Sequence, residues 1–240
     1  MKQIWTIAKR ELRSFFDSLM AYIMMAAFLG FSGFFTWIFG ADIFFIKQAS
    51  LQVFFSIAYW TLFFFIPALT MRLFAEENRS GTIELLLTRP VSDWQVIIGK
   101  FTATLLLIII ALTLTLPYYI TVSTLGSLDH GSVITGYLGL ILISCAYIGI
   151  GLFASSFSNN QIVAYLVALV IGIFFHIIFD LLAGSFTGWI GQVISYLSIS
   201  EHFGSISRGV IDSRDLIFFL SLTFIGLILT EMNLLKRRIA

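Results

Sequence analysis

The chain has 240 residues, of which 59% are hydrophobic and only 11% charged, with a mean hydropathy of +0.98 and a formal net charge of +1. This excludes an ordinary soluble domain, and it excludes a nucleic-acid binder, which needs Lys and Arg clustered on one surface to neutralise phosphates. A single cysteine, Cys145, excludes a disulfide framework or a cysteine metal cluster within the chain; inside its apolar run it reads as a packing residue.

The first 18 residues are amphipathic. Ile4, Trp5, Ala8, Leu12, Phe15, Phe16 and Leu19 share one helical face, while Lys2, Lys9, Arg10, Arg13 and Asp17 cover the other. Such a helix lies in the membrane interface. The apolar run that follows is too long for a signal-peptide core and has no Ala-x-Ala site, so it is expected to remain as a span.

A helix needs roughly 20 apolar residues to cross a hydrocarbon core. Residues 19–39, 53–73, 101–123, 134–155, 162–182 and 216–235 meet that requirement. Barrel strands would be shorter and alternating, so the expected fold class is an all-α integral membrane protein whose six transmembrane helices occupy residues 19–240. Basic residues set its orientation. Lys9, Arg10, Arg13, Arg72, Arg79, Arg89, Lys100 and Lys236 to Arg238 fall on one side, against Lys47, Arg208 and Arg214 on the other. Both termini are therefore expected in the cytoplasm, with the protein in the cell (inner) membrane. Trp37, Tyr118, Tyr119 and Trp94 suit aromatic belts, whereas Trp60 lies deeper and reads as a packing residue.

Between the second and third spans, residues 74–100 form a charged cytoplasmic segment. Gly81 suits the start of a short helix running to Thr88, Glu84 complements its first turn, and Arg89-Pro90 ends it. Ser92-x-x-Gln95 is a capping box for the next helix. Ile83, Leu85, Leu86 and Leu87 are apolar in a charged region outside the bilayer, and such a helix needs a covering surface, either a partner groove or the chain's own membrane ends.

Residues 183–215 are too apolar for a free loop and too interrupted by Gly184, Gly188 and Gly191 for a full span. Re-entrant or interfacial helices are expected there. In the fifth span His176 and Asp180, one helical turn apart, form a candidate polar membrane pair with a structural or interface role; with His130 and His202 both outside, they do not make a metal site. Gly136, Gly139, Gly149 and Gly151 allow close helix packing within the chain. Gly99-Lys100 lacks the earlier glycine and the following Ser/Thr of a phosphate loop, so ATP is not cradled here by that route.

The combination of Pro67, Met71-Arg72, Glu76-Glu77, Gly81-Thr82-Ile83-Glu84-Leu85-Leu86-Leu87, Pro90-Val91 and Gly99-Lys100 resembles the membrane subunits of type-2 ABC exporters. The likeness extends to the amphipathic start, to Ser155-Ser156-Phe157 with Asn160-Gln161, and to Glu201-His202-Phe203 and Arg208 to Asp212. These last stretches resemble the gliding-motility permeases, and the copper-processing permeases that serve nitrous oxide reductase maturation are similar too.

The resemblance implies a non-catalytic permease with no cofactor of its own, ATP and magnesium residing in the partner. It implies two copies of an ABC ATPase subunit and a second permease subunit, as a homodimer or a related heterodimer. It assigns ATPase coupling to Glu76, Glu77, Arg79, Gly81, Thr82, Ile83, Glu84, Leu85 and Leu86. Because the outer loops are short, any external domain belongs to an extracytoplasmic accessory subunit. The competing function is a passive scaffold or channel subunit, although few charges line the spans. A membrane enzyme would need a metal-binding His-Glu-x-x-His, paired carboxylates or a nucleophile elbow, and the sequence has none of these.

Overall fold

A computed structural model describes residues 2–38, 49–82 and 91–239, with side chains to residue 236. Among these the chain is all-helical. The helices, in order, are α1 Lys2–Asp17, α2 Met20–Trp37, α3 Gln52–Thr70, α4 Arg72–Ser80, α5 Asp93–Thr113, α6 Leu116–Leu125, α7 His130–Phe157 and α8 Gln161–Ile173. A π-helical turn over Phe174–Ile178 leads into α9 Phe179–Ser185, and α10 Trp189–Ser195, α11 Ile199–Ser207 and α12 Ser213–Ile239 complete the chain. Six helical stretches are long and apolar enough to cross a membrane: Met20–Trp37, Gln52–Ser80, Asp93–Leu125, His130–Phe157, Gln161–Ser185 and Ser213–Lys236. They correspond one for one to the six expected spans.

The bundle is organised around α7, which touches α3, α4, α5, α8, α11 and α12. Its glycines are the reason it can have so many neighbours. A Cβ on Gly149 would stand 2.9 Å from the Thr223 carbonyl oxygen, and one on Gly226 would stand 2.5 Å from the Gly149 carbonyl carbon, so α7 and α12 cross backbone to backbone. Gly136 receives the Phe55 ring and Gly151 receives Thr70. These glycines are spent on packing within the chain, as expected, because small residues let helices approach closely where lipid supplies no hydrophobic drive.

Two local features depart from the sequence reading. The third span is broken at Leu114-Thr115, since Pro117 sits in the first turn of α6 and starts a new helix. Gly81, expected to open a helix, closes α4 as its C-cap at φ 70°, the left-handed conformation that glycine adopts without a Cβ clash. Trp60 packs edge-on against the His176 ring at 4.4 Å, as a packing residue should, and still leaves 44% of its surface exposed on the outer side of α3. The expected helix over residues 81–88 lies, beyond Thr82, outside the described residues, as do Ile83, Glu84, Leu85 and Leu86. The segment 183–215 does hold two short helices, α10 and α11.

Candidate functional site at a three-helix junction

The site begins with a lysine that sequence periodicity places in an apolar helix. Lys100, in the second turn of α5, is 1% exposed. Its ammonium donates to the Leu73 carbonyl oxygen at 2.7 Å, to Glu77 Oε1 at 2.8 Å and to Glu11 Oε1 at 3.4 Å. An ammonium has three hydrogens, so these three acceptors saturate it. Nζ also lies 5.1 Å from the centroid of the Phe74 ring. A buried cation is tolerable only when paired and hydrogen-bonded, and here both conditions are met.

Three helices meet at that one atom. Glu77 comes from α4, Glu11 from α1 and Lys100 from α5. The preceding residue, Gly99, makes the junction sterically possible: a Cβ there would lie 2.7 Å from Ile7 Cγ2 on α1. The face of α1 turned toward the protein therefore carries Ile4, Ile7, Ala8, Glu11 and Phe15, with Trp5 and Leu19 left exposed. Arg10 donates to Glu11 at 2.6 Å and stands 3.8 Å from Glu77. Burial alone would raise the Glu11 carboxyl, but the Lys100 charge together with the Arg10 hydrogen bond and charge outweighs it and holds Glu11 below its ordinary pKa. The Arg10 guanidinium is correspondingly raised by its hydrogen bond to Glu11.

Arg72 closes the other end of α1. It donates to Ser18 Oγ at 3.0 Å and to the Ser14 carbonyl at 3.3 Å, with its guanidinium 4.8 Å from the Phe15 ring centroid. A cation on the last carbonyls of a helix satisfies groups that have no intrahelical donor and complements the helix dipole.

α4 is fixed to α7 as well. The Ser155 hydroxyl accepts from the Phe74 and Ala75 amides, at 3.0 Å each, and donates to the Met71 carbonyl at 2.9 Å. Asn78 Nδ2 donates to the carbonyls of Ser156 at 3.2 Å and Ser158 at 3.0 Å. The base of the segment between the second and third spans is thus joined to α1, α5 and α7. Glu76, Arg79, Ser80, Gly81 and Thr82 are exposed at its tip, and Glu77 is half-buried in its ion pair. The side of α4 facing α1 is a cleft of about 530 Å³, in which Arg10, Arg72, Glu76 and Thr82 surround the clamp.

This arrangement has the features of a mechanical junction: a short helix with an exposed tip, locked by charge to the N-terminal helix α1 and to a span. A family model for the ABC-2 family transporter protein matches residues 5–203. The chain belongs to the ABC-2 transporter family. It is a multi-pass membrane protein and the permease subunit of an ABC transporter, and its family implies an ABC ATPase as partner. No curated protein matches it.

Of the residues the resemblance assigned to coupling, Glu76, Arg79, Gly81 and Thr82 are exposed and adjacent in the ABC-2 permease. Glu77 instead holds Lys100. The other polar candidates are far from this end. His176 is 3% exposed, its ring stacked 4.1 Å from Tyr59 and 4.6 Å from Phe63, with Nδ1 hydrogen-bonded to the Tyr147 hydroxyl. Asp180 is exposed, and no hydrogen bond or ion pair joins it to His176. The intervening π turn, in which the Phe179 amide bonds the Phe174 carbonyl, breaks the spacing of four that would stack the two side chains.

Sequence reasoning did not single out Glu11 or Asp215. Asp215, in the first turn of α12, lies 2.6 Å from His202 Nδ1, and both side chains are 7% exposed. His202 Nε2 faces the Tyr196 carbonyl at 3.1 Å, so a doubly protonated ring satisfies both acceptors. One available signal was Lys100 itself, a charge set after a glycine in an otherwise apolar helix.

Proposed function

We propose that this permease belongs to an exporter in which ATP-driven closure of two cytoplasmic ATPase subunits moves the segment 74–100, and that the Lys100 junction carries the motion to the spans. The observation that carries this reading is the convergence of α1, α4 and α5 on one buried ammonium, next to the exposed tip at Glu76 to Thr82. A force on the tip cannot displace α4 without loading α1 through Glu11 and α5 through Lys100. Transporters of this kind alternate between openings by rocking packed helices, which requires a stiff link between the force and the bundle.

In this reading Ile83, Glu84, Leu85 and Leu86 form the apolar and acidic surface that docks the ATPase, with Glu76, Arg79, Gly81 and Thr82 beside it. The termini and this segment face the cytoplasm of an inner-membrane protein, by the bias of basic residues. A second permease subunit, as a homodimer or related heterodimer, completes the pathway, and an accessory subunit supplies any external domain. The system is of the gliding-motility or envelope-export type, on the terminal stretches noted above, with the copper-processing type as its alternative.

The test is co-purification. Glu84→Lys with Leu85→Lys is expected to abolish recovery of the ATPase with the permease, while leaving the permease folded by thermal melting. Unchanged recovery would favour the passive scaffold.

A further inference from the structure

At the end of the bundle opposite the Lys100 junction, α3, α9 and α11 enclose a cleft of about 550 Å³, within the size range of small-ligand sites. Glu201 and Arg208 line it from α11, with Gly204 between them on the same face. A Cβ on Gly204 would meet nothing within 4 Å, so the floor between the two charges is open. Asp180 joins Glu201 on the wall, and both also line a neighbouring hollow of about 470 Å³. Asp180, Glu201 and Arg208 are exposed, and no salt bridge pairs them among the described residues.

Two further observations point to an occupant. Tyr59 lines the cleft at 6% exposure, and its buried hydroxyl lies beside Ser200 without reaching good hydrogen-bond geometry to it. A buried hydroxyl without a partner costs free energy unless something supplies one. In addition, the exposed positions of α3 form a single row that changes character along the helix: Gln52, Ser56, Trp60, Phe64. The first two lie at the cleft, and the row then becomes aromatic toward the middle of the span, with Trp60 44% and Phe64 45% exposed.

We propose that this cleft and row bind a zwitterionic phospholipid whose headgroup carries a primary amine. The ammonium is held by Asp180 and Glu201, the phosphate by Arg208 with the Tyr59 hydroxyl as second donor, and the acyl chains lie along Trp60 and Phe64. Charge complementarity selects this ligand: two carboxylates and one guanidinium match an ammonium beside a phosphate, whereas an anionic headgroup would meet the carboxylates without compensation. With segment 74–100 facing the cytoplasm, as proposed above, the lipid comes from the outer leaflet; its binding does not depend on ATPase docking.

The full-length protein, stripped of lipid in detergent, is offered phosphatidylethanolamine, phosphatidylcholine and phosphatidylglycerol with identical chains, and retained lipid is read by native mass spectrometry. Phosphatidylethanolamine is expected to be retained best. Asp180→Asn with Glu201→Gln is expected to lower its retention about tenfold, the scale of losing charge-assisted hydrogen bonds, with Arg208→Gln following and Tyr59→Phe weakest. Thermal melting is the control that these substitutions leave the fold intact. Glycerophosphoethanolamine, which has the headgroup without chains, is expected to compete poorly because it cannot use the aromatic row.

Phosphatidylglycerol retained equally well overturns the proposal, as does a folded double variant whose retention stays within about twofold of the parent. So does disulfide formation between copies bearing Trp60→Cys in native membranes, which would assign the row to a subunit contact. The Glu84→Lys, Leu85→Lys variant is expected to lose the ATPase and keep the lipid, so the two readings fail separately.

Discussion

Lys100 at one end of the bundle and the His202–Asp215 pair at the opposite end are both buried polar contacts that tie helices together, and they are built differently. Lys100 donates three hydrogen bonds to two carboxylates and a carbonyl drawn from α1 and α4. His202 makes one bond to a carboxylate of α12 and one to a carbonyl six residues back, stacking on Phe218 at 4.2 Å. The first joins three helices through an ammonium that meets three acceptors; the second joins α11 to α12 through an imidazole that meets two. The end expected to receive force is braced by three bonds to one atom, and the end around the lipid cleft is held by fewer.

The sharpest way to break this contrast is Lys100→Met. It leaves Glu11 and Glu77 with only the more exposed Arg10 beside them and is expected to cost about 3–5 kcal/mol, measured by unfolding in detergent. Adding Glu11→Gln and Glu77→Gln is expected to recover part of that loss, and an unaffected single variant would mean the junction is not a brace. His202→Ala leaves Asp215 buried at a helix N-terminus, whose dipole offsets some of the penalty, and about 2–3 kcal/mol is expected by the same measurement. If it proved costlier than Lys100→Met, the ranking of the two ends would reverse.

Gly99→Val should act on α1 without touching a charge. Overpacking against Ile7 is expected to cost about 1–3 kcal/mol and to make α1 more readily cleaved by protease. Arg72→Gln removes the cation at the α1 C-terminus for about 0.3–1 kcal/mol, seen as faster amide exchange near Ser18. Acidification should show the smallest effect. Because the folded Glu11 pKa is depressed, its contribution is fully present above the ordinary value of 4.5 and is lost as pH falls through the lower folded value. Release of α1 should therefore grow on acidification below that range, and Glu11→Gln should flatten the dependence.

The six spans were legible because apolar length alone fixes a bilayer-crossing helix, and Ser92 with Gln95 forms the capping box its spacing announces, both reciprocal bonds being made. The base of the functional segment was legible as a cluster of charges, but its internal wiring was not. Glu11 falls between the polar and apolar faces of α1 on a helical wheel, and only the approach of α5, allowed by Gly99, decides that it points inward. Asp215 and His202 are separated by a turn between α11 and α12 whose geometry no periodicity encodes. Trp60 packs against His176 as its depth suggested, but depth in a span did not tell that its other face would be exposed.

The π turn at Phe174–Ile178 fits one residue more into its turn than an α-helix would. Removing one residue there would restore 3.6 residues per turn with little change in the direction of everything beyond it, because the wide turn takes up its extra residue within one revolution. Removing one from the regular helix α8 would instead swing Asp180 by about 100° away from the wall it shares with Glu201. The aim of that carboxylate is thus insensitive to a one-residue deletion inside the π turn and sensitive to one just before it.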